Sequence, residues 1–189
     1  MKTQTKKFIA YLNLLDVKID SDKFEYRIKA QKLAYIIQKL VGKPLYEDFN
    51  FYIRGPYSRE LAKEYFNYKE DFVKGRSDSE LTNEEKDEIK QALPLLKELS
   101  QKELEIVASL LYLKEKGFDE NQAEIKLKEL KPHLKPEEIW RGSNTIKKLF
   151  LTEKLRATIM SSLEKETEEW DNISNESLRK FESWDSERI

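Results

Sequence analysis

Residues 31–66 read QKLAYIIQKLVGKPLYEDFNFYIRGPYSRELAKEYF. Leu33, Ile36, Ile37 and Leu40 recur at helical spacing, and Gly42-Lys43-Pro44 ends the pattern. Phe49, Phe51 and Ile53 then alternate with Asn50, Tyr52 and Arg54, the period of a short strand with one face on a core. In Arg54-Gly55-Pro56-Tyr57-Ser58, Gly and Pro in succession impose a sharp break, and Ser58 is placed to cap a helix beginning near Arg59 and carrying Leu61, Ala62, Tyr65 and Phe66. A lone strand is not a sheet, so a partner is expected near Pro44 to Tyr46 or from another strand. The expected fold class is α+β, predominantly α-helical: a helical domain with a short strand element, seven to nine helices, and a C-terminal helical tail.

Outward from this stretch, helical periodicity dominates. Before it, Thr5 to Leu15 presents Phe8, Leu12 and Leu15 on one side. A second helix is expected after Ser21-Asp22, with Asp22 and Glu25 as a capping box and Phe24, Ile28, Leu33, Ile37 and Leu40 as its buried face. After it, Lys69 to Ser79 reads as a loop. Capping boxes at Thr82-Asn83-Glu84-Glu85 and Ser100-Gln101-Lys102-Glu103 start helices over 83–98 and 101–116, and the second is apolar nearly all round, the mark of a central helix. Asp119 and Gln122 cap a helix over 120–130, Pro136 opens a short one through Trp140, and residues 144–151 and 152–169 read as helices. The expected organisation is one domain over 1–163, followed by an acidic tail over 164–189. That tail carries Trp170, Ile173, Leu178, Phe181 and Trp184, and either packs back on the domain, the favoured reading, or binds a partner as an amphipathic helix.

Composition narrows the chemistry. The chain has 189 residues, 39% apolar and 38% charged, with a net charge of −1. Such dense, balanced Lys and Glu is what surface ion-pair networks favour at high temperature, so a thermophilic source is expected. Absence of cysteine excludes disulfides, thiolate metal sites and thiol catalysis. No run of apolar residues is long enough to cross a membrane and no cleavable leader is visible, so a cytoplasmic protein is expected. The near-neutral charge gives no overall basic footprint for nucleic acid.

The same motifs carry a resemblance. Lys32-Leu33-Ala34-Tyr35-Ile36-Ile37-Gln38-Lys39-Leu40, Gly42-Lys43-Pro44-Leu45-Tyr46 and Phe51-Tyr52-Ile53-Arg54-Gly55-Pro56-Tyr57-Ser58-Arg59-Glu60-Leu61 together resemble the Panacea/SocA-like domain, and the Tyr-x-x-Gly-Pro-Tyr-Ser variant resembles YwgA-like proteins of bacteria and archaea. The resemblance covers residues 28–66, and Pro136 to Trp140 is loosely similar to the family's downstream Pro-Trp feature, without its neighbouring His. It implies a protein-binding role without catalysis, as an antitoxin of a toxin–antitoxin pair or a proteolysis adaptor, with a toxin or a second copy of the chain as partner.

Few residues suggest reaction chemistry. His133, the only histidine, lies in a connector with no second imidazole to share a metal, and the carboxylates fall in mixed runs typical of solvated helix faces. No Walker A, GxGxxG or GxSxG pattern occurs, so neither an enzyme nor a cofactor nor a metal is expected. Arg54, Gly55, Pro56, Tyr57, Ser58 and Arg59 form the candidate partner-binding segment: a structural corner that also gathers two guanidinium groups and a phenol at a helix N-terminus, where free N–H groups favour carboxylate, phosphate or peptide. Lys147, Lys148, Lys154 and Arg156 form the alternative, a helix-turn-helix-like nucleic-acid-binding surface.

Overall fold

A computed structural model describes residues 1–151 and 153–186, and for residues 153–159, 176 and 178–186 the backbone alone. The elements in order are α1 (Thr3–Leu14), α2 (Phe24–Leu40), β1 (Asn50–Tyr52), β2 (Gly55–Tyr57), α3 (Arg59–Asn67), α4 (Lys69–Lys74), α5 (Asn83–Lys90), α6 (Leu93–Glu98), α7 (Gln101–Glu115), α8 (Glu120–Leu130), α9 (Pro136–Leu149) and α10 (Glu153–Ser186). The described residues thus form ten helices and one two-stranded antiparallel sheet, the predominantly helical α+β class expected, with more helices than the sequence reading counted.

The chain divides into two compact units, Met1–Phe150 and Leu151–Ile189. The second unit contains α10, a continuous helix on which Met160, Leu163, Trp170 and Ile173 are all exposed, Trp170 at 71%. Two of the aromatic side chains expected to be covered, Phe181 and Trp184, lie outside the described side chains.

In the first unit, α2 and α7 form the centre. From Ala30 to Gln38 every residue of α2 is buried, and α7 buries every position from Leu104 to Leu110. The two helices pack on each other, α7 also packs on α8 and α9, and the hairpin β1–β2 touches both α2 and α7. A short hairpin is marginal by itself in water. Here two buried helices supply the surface it needs.

Local chemistry sets most boundaries. Thr82, Ser100 and Asp119 each accept from the N–H three residues on, and Glu85, Glu103 and Gln122 return the bond to the cap N–H. Ser58 caps α3 as expected, accepting from Leu61 N at 2.9 Å. At α2 the expected Asp22 cap is absent: the N-cap is Lys23 without a side-chain bond, and Asp22 instead pairs with Lys69. Phe24, expected in the core, is 56% exposed.

The structure decides between the two expected partners of β1 and corrects four further expectations. The partner of β1 is β2, with Asn50 opposite Tyr57, Phe51 opposite Pro56 and Tyr52 opposite Gly55, and not the 44–46 segment. Ile53, read as core-facing, occupies the turn and is 91% exposed. Within the supposed loop 69–79, α4 forms because Phe72 is buried against Phe8 and Tyr65, and Gly75 closes the helix at φ +66°. The helix expected over 83–98 is broken into α5 and α6 near Pro94, which has no N–H to donate and whose ring crowds the preceding turn. Conversely, the helices expected over 136–140 and 144–151 are one, α9, running through Gly142. A Cβ at Gly142 would collide with Ile106 Cγ2, so glycine is there to let α9 approach α7.

Candidate functional site

A row of buried polar side chains on α2 holds the irregular chain that follows it. Gln38 Oε1 accepts from the N–H groups of Leu45 and Tyr46, both at 3.2 Å. Gln31 grips Ser58 twice, donating to its carbonyl at 2.9 Å and accepting from its N–H at 2.8 Å. Lys32 Nζ donates to the carbonyl of Pro56 at 2.6 Å. The Gln31 and Lys32 bonds satisfy backbone groups on β2 and just after it that the two-stranded sheet leaves open.

The tip of the hairpin rests on α7. Neither Ile53 nor Arg54 has a positive φ, so the backbone reversal is completed by Gly55 at φ +84°. A Cβ on Gly55 would strike Ser109 Oγ on α7. Arg54 approaches Glu105 Oε2 at 3.7 Å, and Lys131, the residue closing α8, meets Glu105 Oε1 at 2.5 Å and the carbonyl of Ile53 at 2.7 Å. Lys131 and Lys32 are both buried, so two ammonium groups and a half-exposed guanidinium surround one buried carboxylate. Burial pushes the Lys32 ammonium down to about 7, opposed by Glu105 and reinforced by the positive charges of Lys131 and Arg54.

Between the hairpin, α2 and α3 lies a cleft of about 460 Å³, within the range of small-ligand and peptide-anchor pockets. Phe24, Ile28, Tyr52, Ile53, Tyr65 and Phe66 give it apolar walls, while Arg27, Lys32 and Arg54 supply positive charge and, among the described residues, no carboxylate lines it. Arg27 lies over the rings of Phe24 and Phe66, its guanidinium carbon 5.4 and 5.8 Å from their centroids. Tyr57 lies across from Tyr52, edge to face at 5.4 Å. Burial pushes the Tyr65 phenol up to about 12.

The expected partner-binding segment is divided by this geometry. Arg54, Gly55 and Tyr57 line the cleft, Pro56 and Ser58 are buried behind it, and Arg59 is exposed on α3 outside the lining. The α3 N-terminus offers fewer free donors than the sequence suggests, because Asp48 takes Glu60 N at 2.9 Å and Ser58 takes Leu61 N. Phe24, Arg27, Lys32 and Phe66 were not recognised from sequence. For Lys32 a signal existed: it lies four residues from both Ile28 and Ile36, a charge on the core stripe of an amphipathic helix. Of the nucleic-acid set, Lys147 is paired with Glu120 at 2.7 Å and Lys148 is exposed, while the side chains of Lys154 and Arg156 lie outside those described.

Among the described residues no cluster of His, Cys, Asp and Glu is suited to a metal ion, and no helix is long and apolar enough to cross a membrane. Compared with known proteins, the chain matches no family model, no curated protein sequence and no solved structure.

Proposed function

We propose that this chain is a non-enzymatic protein-binding module, acting as an antitoxin or adaptor, and that it receives its partner in the cleft between the hairpin and α2–α3. The observation that carries the reading is the placement of Phe24, Tyr52, Ile53 and Phe66, all exposed and all around one concavity. Large apolar side chains gathered round a pocket and interleaved with arginine match the composition of binding hot spots. The resemblance of residues 28–66 to Panacea/SocA-like and YwgA-like proteins supports the same role, and it includes both Lys32 and the hairpin.

A photo-crosslinking residue at position 53 in the full chain, expressed in its native host, tests this. The expected product is a single protein adduct, lost when Phe66→Asp is added and absent when the crosslinker is placed at exposed Lys148. Reconstitution of that adduct from purified components with matching affinity supports the module; equal yields from positions 53 and 148 reject it. Duplex DNA at low salt is expected not to bind, since Lys147 is engaged by Glu120.

A further inference from the structure

The cleft has a chemical preference that apolar walls alone do not give. Lys32 is 1% exposed and donates to the neutral carbonyl of Pro56, which engages one of the three donors of an ammonium. The carboxylate nearest in charge, Glu105, is already held by Lys131 at 2.5 Å and approached by Arg54 at 3.7 Å. Three cations therefore share one anion beneath and beside the cleft, and Arg27 adds a fourth at its aromatic wall. A buried cation without its own counter-ion is costly, and an anion entering the cleft would relieve that cost.

We infer that the cleft binds the C-terminal carboxylate of a protein partner whose last residue is aromatic or large and aliphatic, with Lys32 and Arg54 receiving the carboxylate and the Phe24–Phe66 wall receiving the side chain. This rests on the protein-binding reading above and specifies its ligand. Charge complementarity selects the carboxylate. The terminus is selected because it alone places a carboxylate and an apolar side chain on one Cα, so that both enter a 460 Å³ cleft end-on. A mid-chain acidic residue would have to bring flanking backbone with it on both sides, and those peptide groups would be desolvated against apolar walls.

Protonation follows. With its ammonium near 7, Lys32 is charged below that pH and neutral above it, and a bound carboxylate holds the proton on. The groups facing it are Glu105 from α7, Lys131 from the end of α8, Arg54 from the hairpin, and the phenols of Tyr57 and Tyr65 across the cleft. Burial holds the Tyr65 phenol up at about 12, so it stays neutral from pH 7 to 9. Affinity for the carboxylate should fall as pH rises from 7 to 9, with proton uptake on binding.

The test uses the full chain and a fluorescein-labelled hexapeptide ending in phenylalanine, as free acid and as C-terminal amide, with 3-phenylpropionate as competitor. Fluorescence polarisation is expected to show the amide at least tenfold weaker at pH 6.5, the gap narrowing by pH 9, and Lys32→Met reducing the free acid to the amide's affinity. Arg54→Gln, at an exposed position, gives a second variant and is expected to narrow the same gap. Equal binding of acid and amide overturns the carboxylate assignment while leaving the crosslinking result, and with it the protein-binding reading, intact. Binding of phenylpropionate without binding of the peptide makes the cleft a small-acid site and overturns the peptide terminus as occupant. No binding of any probe at millimolar concentration also overturns the inference.

Discussion

On the α7–α8 side of the hairpin, Lys131 is 2% exposed and meets the Glu105 carboxylate at 2.5 Å; on the α2 side, Lys32 is 1% exposed and meets the Pro56 carbonyl at 2.6 Å. Both lysines donate to hairpin carbonyls, Lys131 to Ile53 and Lys32 to Pro56, so as fasteners they are alike. They differ in the counter-ion. Lys131 belongs to a closed pair whose role is to seat the hairpin on α7, whereas Lys32 carries a charge that has no carboxylate of its own among the described residues and that faces the cleft. Where a protein buries a cation and supplies only a neutral acceptor, stability has been given up at a position where a ligand can restore it.

Removing the carboxylate strikes hardest at this difference. Glu105→Gln leaves Lys131 and Arg54 without their anion, and the expected loss is about 3–5 kcal/mol in chemical denaturation, because a buried charge is stranded. A loss below about 1 kcal/mol would mean that Lys131 is not charge-compensated in the way its geometry implies.

Lys32→Met is expected to act in the opposite direction, stabilising the chain by about 1–4 kcal/mol at pH 6 as a buried cation gives way to an apolar side chain. In the wild type the unfolded chain keeps this proton up to the ordinary 10.5 and the folded chain only up to about 7, so between those values the unfolded state binds more protons and stability rises with pH. Below 7 the burial penalty is fully present, and above 10.5 it is gone. The gain from Lys32→Met should therefore be largest in acid and shrink through that window. A gain independent of pH, or a loss at pH 6, breaks the contrast with Lys131.

The hairpin tip sharpens it next. Gly55→Ala forces a side chain into a positive φ and toward Ser109, at an expected cost of about 1–3 kcal/mol. Adding Ser109→Ala should recover the contact part and leave the backbone part, about 1 kcal/mol. Full recovery in the double variant would show that φ at Gly55 is not a constraint. Smallest of all, Arg59→Ala should leave both the denaturation midpoint and peptide affinity unchanged within error, since Arg59 is exposed and outside the cleft.

Legibility in the sequence followed the range of the interaction. The three capping boxes, the Ser58 cap, the break at Gly42 and the all-round apolar α7 were readable because each depends on residues within one or two helical turns. Phe72, by contrast, turned a polar stretch into α4 by finding Phe8, far away in the chain, together with Tyr65 on the preceding helix. Gly142 falls between two stretches read as separate helices and is a packing notch within one, since what it accommodates is Ile106 on another helix. Of the candidate site, Arg54 and Tyr57 were legible as unusual residues at a Gly-Pro turn, but Arg27 and Phe66 gain significance only from meeting at the wall of a cleft, the guanidinium 5.8 Å from the ring centroid.

By itself, then, the sequence determined the helical class, the caps that start α3, α5, α7 and α8, and the need for a sharp reversal at Gly55, because caps, periodicity and positive φ are properties of neighbouring residues. Tertiary structure decided that the Gly55–Tyr57 strand would seat on α2 and α7, that Gly142 would lie inside one helix packed on another, and that of two buried lysines one would receive Glu105 and the other face an open cleft. Those outcomes depend on which side chains meet from distant parts of the chain, as Glu105 and Lys131 do from 26 positions apart, and local propensity carries no information about such meetings.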